Sequence, residues 1–135
     1  MYTNILVPVA PDHSHPTEEA LAIARKLSGE GAKITALSVV DKIPDYVAQY
    51  LPAGQLEKTH RETVDALSED VGSAGDVSTI VVTGHAGRTI VDFAQEHDVD
   101  LIVIASHSPG LQDYFLGSTA GRVVRHAQCA VHVLR

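Results

Sequence analysis

Apolar residues fall along this chain in two alternating rhythms. Short, mostly apolar runs occur at Ile5–Val9, Ile34–Val40, Val77–Val82, Leu101–Ala105 and Ala130–Leu134. Apolar runs of this length without strict alternation suit strands covered on both faces, as in a parallel sheet. Between them the spacing changes to three and four residues, the period of a helix with one buried face. Ala20, Leu21, Ala24 and Leu27 form one such stripe, and Ile90, Val91 and Ala94 another. Leu56, His60, Thr63 and Leu67 align on a longer helix over Gln55 to Val71, and Ala120, Val123, Val124 and Ala127 on the last one. Pro16, Glu18 and Glu19 favour the start of the first helix, and Gly29 and Gly31 its end. The stretch from Asp41 to Gly54 holds Pro44 and Pro52, which leaves room only for a short helical turn.

The resulting order is β-α-β-α-β-α-β-α-β. Strict alternation implies parallel strands joined by right-handed crossovers, with helices on both faces. The expected fold is therefore α/β, a five-stranded doubly wound sheet of Rossmann-like or flavodoxin-like type in the order 3-2-1-4-5. No linker, low-complexity tract or internal repeat divides residues 1–135, so one domain is expected. In such sheets ligands sit beyond the C-terminal strand ends, where strand order reverses. That point lies between the first and fourth strands, so the loops Ala10–Pro16 and Ser106–Leu116 should face each other.

Charge narrows the class of ligand. The formal net charge is −7, which argues against a nucleic-acid partner. Residues 101–135 nevertheless carry Arg122, Arg125 and Arg135 against Asp113 alone, a net of +2. An acidic body with a locally basic loop and helix suits a small anion, although four charges are few enough for chance to produce the pattern. No apolar run approaches the ~20 residues that span a membrane. Met1–Val9 lacks the basic region and cleavage site of a signal peptide, and Cys129 is the only cysteine, so a cytoplasmic protein without disulfides is expected.

The loop after the fourth strand carries the candidate chemistry. A strand, a run of small residues and a helix N-terminus in that order present free N–H groups and the positive helix end to an anion. Gly117 permits close approach of a ligand to the backbone, and Ser118 and Thr119 offer N–H groups and hydroxyls to a phosphate. Ala105, Ser106, His107 and Ser108 line the start of the loop. Pro8, Val9 and Ala10 form the opposite wall, and Val39 borders a base through its backbone. Asp12 is placed to meet a ribose hydroxyl or a phosphate-bridging metal. Each polar residue has a simpler reading. Ser118 can cap its own helix, His107 can be an exposed loop histidine, and Asp12 can be a turn residue before Pro16.

These residues together resemble the universal stress protein family. The resemblance spans the chain: Asn4-Ile-Leu-Val-Pro-Val9, Leu116-Gly-Ser118 before Arg122-Val-Val-Arg-His-Ala127, and Ala130-Val-His-Val-Leu-Arg135. ATP-binding members carry Gly-x2-Gly-x9-Gly-Ser/Thr, where this chain has Ala105-x2-Ser108-x8-Gly117-Ser118. Both early glycines are replaced and the loop is one residue shorter. In length the loop is similar to the short form of the nucleotide-binding F- and G-type enterobacterial subgroup, Ser-Arg-Asn-Pro before Leu-Leu-Gly-Ser. Ala10 also stands where the family usually has an aspartate. The resemblance implies a regulatory module of the stress response that binds ATP or AMP, with Mg2+ compatible but not required by the sequence. It also implies a homodimer formed through strand 130–134, and no membrane or nucleic-acid partner.

Two other readings stay open. One is a dimeric interaction protein with a vestigial site. The other is a weak ATPase or self-phosphorylating protein, although no activated nucleophile with a supporting base is evident. A Walker loop is absent, as is a dinucleotide Gly-x-Gly-x2-Gly after the first strand. The eight histidines show no i, i+4 pair with an acidic helper, so no metal site is expected.

Overall fold

In the computed structural model, residues 1–11, 17–72, 75–106 and 116–135 are described. The elements are β1 (Tyr2–Pro8), α1 (Thr17–Leu27), β2 (Ser28–Val40), α2 (Asp45–Ala48), α3 (Gln55–Val71), β3 (Val77–Thr83), α4 (Ala86–Glu96), β4 (Leu101–Ala105), α5 (Ser118–His126) and β5 (Ala130–Leu134). The strands form one sheet in the order β3-β2-β1-β4-β5, and every pairing is parallel. This is the expected doubly wound order, with the reversal between β1 and β4.

The pleat sends alternate strand residues to opposite faces, and each face has its own core. Ile5, Val7, Ile34, Ala36 and Val103 pack under α1 and α3, against Ala20, Leu21, Ala24 and Leu67. Leu6, Leu37, Val39, Ile102 and Ile104 pack under α4 and α5, against Ile90, Ala94, Ala120 and Val123. Leu6, Leu37 and Ile102 are fully buried, each contributing about 2 kcal/mol from removal of apolar surface from water. That two-sided demand is why the strand runs are mostly apolar and do not alternate strictly with polar residues.

The strand entries are tied together at the end away from the strand exits. The Asp100 carboxylate accepts from the Thr3 and Asn4 N–H groups at 2.9 and 3.0 Å, and from the Thr3 hydroxyl at 3.1 Å. Asn4 Nδ2 donates to the His97 carbonyl at 2.7 Å. Arg25 grips Asp76 through Nε and Nη2 at 2.7 and 3.0 Å, joining α1 to the chain entering β3. Both side chains are about 40% exposed, so solvent screens that pair.

Three local expectations change. The first helix stops at Leu27, and Gly29 and Gly31 lie within β2 instead. Tyr2 pairs with Ser28, and a Cβ on Gly29 would lie 2.5 Å from the Met1 nitrogen, so glycine there lets β1 start early. On α3, Leu56 and His60 are exposed while Thr63 is half-buried and Leu67 buried, so burial grows toward the C-terminal half of the helix. On α5, Val124 is 43% exposed, and the core contacts come from Ala120 and Val123.

Candidate functional site

The exits of β1, β2 and β4 lie on one edge of the sheet because all three run parallel. β1 and β4 are direct neighbours, paired through Ile5–Leu101 and Leu6–Ile102. The chain leaving β1 is held in place by β2. Val9 N–H donates to the Leu37 carbonyl at 2.8 Å, and the buried Ser38 hydroxyl donates to the Val9 carbonyl at 2.9 Å. Pro8 and Ala10 are half-buried beside it, while Val9 and Val39 are buried. Pro8, Val9, Ala10 and Val39 are thus gathered on the exit side of β1 and β2.

The β4 exit is held as firmly. Ser106 is buried at 2% exposure, and its N–H donates to the Leu134 carbonyl at 2.8 Å, extending the β4–β5 ladder by one residue past Ala105. Its carbonyl accepts from the Gly117 N–H at 2.5 Å. That bond joins the two ends of the loop, so the N-terminus of α5 stands directly beside the end of β4. Asp12, His107 and Ser108 lie outside the described residues.

Gly117 is the cap residue of α5, with φ −60° and ψ 159°, and among the described residues no side chain caps the helix. The reading of Ser118 as its own helix cap is therefore set aside. Intrahelical bonding begins with Gly121 N–H to the Gly117 carbonyl at 2.8 Å. The N–H groups of Ser118, Thr119 and Ala120 have no acceptor within the helix. Ser118 is exposed and Thr119 half-buried, so both face out from the first turn with partial positive charge behind them. The Gly117 N–H, by contrast, is already committed to Ser106. Of the small-residue donors anticipated from sequence, Ser118 and Thr119 remain available, and Gly117 serves to lock the loop.

Sequence reasoning missed Ser38. Its only signal is a single hydroxyl inside the apolar run Ala36–Val40. It also missed the strand-entry clamp, although an aspartate immediately before an apolar strand was visible. Cys129 lies at that far end, where a cavity of about 210 Å3 opens beside Val91, Val99 and Cys129 and includes none of the exit-side residues. Burial pushes the Cys129 thiol up, and the nearby Asp100 carboxylate adds to the effect, so it stays a poor nucleophile at neutral pH.

Comparison with known proteins matches this geometry to one family. The universal stress protein family model matches residues 1–135. Universal stress protein G from Salmonella typhimurium is 28% identical over 142 residues, covering 100% of both chains. The solved structure of universal stress protein UspA from Lactobacillus plantarum is 32% identical, with a TM-score of 0.68, covering 99% of this chain and 98% of the other. Two more distant structures share the fold. A universal stress protein in complex with cAMP is 19% identical, with a TM-score of 0.62 over 99% of this chain and 97% of the other. A universal stress protein family protein from Arabidopsis thaliana with AMP bound is 18% identical, with a TM-score of 0.61 over 98% and 90%.

Proposed function

The chain belongs to the universal stress protein family, and from that premise we propose that it is a regulatory module of the stress response that binds an adenine nucleotide, ATP or AMP, at the exits of β1 and β4. One observation carries the reading. The Gly117–Ser106 hydrogen bond sets the free first-turn N–H groups of α5 beside the strand-order reversal. In this reading Ser118 and Thr119 hold phosphate, with Ala105, Ser106, His107 and Ser108 forming the approach. Pro8, Val9, Ala10 and Val39 wall the nucleoside, and Asp12 meets the ribose. Buried apolar walls with a few directed polar donors are what small-ligand sites require. The family structures solved with cAMP and with AMP support an adenine nucleotide as the class of ligand. The phosphate donors are backbone N–H groups, so Mg2+ is compatible but not required.

The reading treats residues 1–135 as one nucleotide-binding domain acting in the cytoplasm. It makes the module a homodimer through β5, and it assigns no catalytic residue. Isothermal titration with ATP and AMP tests it. Heat of binding with either is expected, and none at millimolar nucleotide would overturn it.

A second reading, a dimer with a vestigial site, is favoured by Ala105 and Ser108 standing where nucleotide-binding relatives have glycine. It predicts the dimer without the heat.

A further inference from the structure

Arg122 lies four residues beyond Ser118 and so shares its face of α5. Side chains on a helix lean toward its N-terminus, which directs Arg122 back along the first turn. Its stem also lies across the first turn of α4. A Cβ added to Gly87, the second residue of that helix, would sit 2.7 Å from Arg122 Cδ, 3.2 Å from its Cβ and 3.3 Å from its Cγ. Gly87 is buried, so the absence of a side chain there makes the seat for the arginine.

The charge of Arg122 has no counterpart among the described residues. Among the described residues it makes no hydrogen bond or ion pair. α1, α2 and α3 each carry acidic residues in the first turn, as a helix dipole favours, whereas α4 and α5 carry none. A guanidinium that has no partner among the described residues and lies beside the positive ends of two helices builds a local positive potential that an external anion relieves. The first-turn N–H groups of α5 suffice for one phosphate. A longer phosphate chain brings more charge, which a guanidinium fork accepts in bidentate fashion.

Resting on the nucleotide reading above, we propose that Arg122 is the specificity residue of that site: it takes a phosphate beyond the first and makes the site prefer ATP to AMP. Titration of the full chain with ATP and with AMP tests this. Arg122→Gln should weaken ATP about tenfold, the loss of one charge-assisted contact, and leave AMP within about twofold. Arg122→Lys keeps the charge and should recover part of the ATP affinity. Gly87→Ala keeps the arginine but displaces its stem, and should lower the ATP-to-AMP ratio. Equal weakening of both nucleotides by Arg122→Gln, or of neither, overturns the assignment while leaving the binding site standing. If the unaltered chain binds neither nucleotide, the functional reading falls and this assignment with it.

Discussion

The Gly117 N–H donates to the Ser106 carbonyl at 2.5 Å, closing the loop that follows β4. The bond spends a donor that the sequence offers to a ligand, and in return fixes the helix end whose remaining N–H groups are free. Gly117 has φ −60°, so its conformation does not itself require glycine. Gly117→Val should therefore fold normally and yet abolish nucleotide binding, because its branched side chain blocks the approach to the first turn of α5. A thermal melt paired with titration checks both halves; unchanged affinity would move the site elsewhere.

Ser38 is 1% exposed, and its hydroxyl holds the Val9 carbonyl at 2.9 Å. Ser38→Ala should destabilise the chain by about 1–2 kcal/mol in urea unfolding, since a buried acceptor loses its donor. Nucleotide affinity should fall as well, because Val9 and Ala10 lose their anchor. A stability loss with affinity untouched would separate the β1 exit from the site.

Asp100 predicts an acid limb. Burial pushes its carboxyl up, but the Thr3 and Asn4 N–H groups and the Thr3 hydroxyl outweigh burial and hold it below the ordinary carboxylate value. A group depressed in the folded state stabilises above its unfolded pKa, about 4, and that contribution is lost as pH falls through the folded value. Asp100→Asn should cost roughly 1–3 kcal/mol at pH 7, the worth of hydrogen bonds to a charged acceptor. The gap between the two proteins should close as pH falls below about 4, which denaturant titrations across that range would show. A gap independent of pH would contradict the account.

The β5 edge predicts assembly. β5 pairs with β4 on one side, and Ala130–Leu134 holds neither proline nor acidic residue nor lysine to blunt the other. Light scattering should return the mass of two chains. His132→Asp places a charge at an exposed position of that strand and should shift the mass toward one chain. A monomer without any substitution would remove the homodimer.

Much of the fold was legible because both sheet faces are buried. That requirement wrote five apolar runs into the chain, and the bounds of β4 and β5 coincide with the expected ones. Periodicity was less informative at the borders of a helix's buried face. Leu56 and His60 fit the α3 stripe but are exposed, and Val124 is exposed at the border of the buried face of α5. Gly29 read as a helix stop because a close backbone approach leaves the same mark in sequence. The site was legible as a strand, a small-residue loop and a helix end. The division of labour within it, with Gly117 locking and Ser118 and Thr119 open, depends on one hydrogen bond between residues eleven apart. The Ser38–Val9 bond likewise joins β2 to the chain just past β1, and no pattern local to either one encodes it.

Nitrogen-15 correlation spectra recorded during addition of ATP test the central claim most directly. The account predicts that the amide signals of Ser118 and Thr119 move first and furthest, accompanied by Val9, Ala10 and Val39. Silence at Ser118 and Thr119, or shifts gathered instead around Val99 and Cys129 at the opposite end of the sheet, would contradict it.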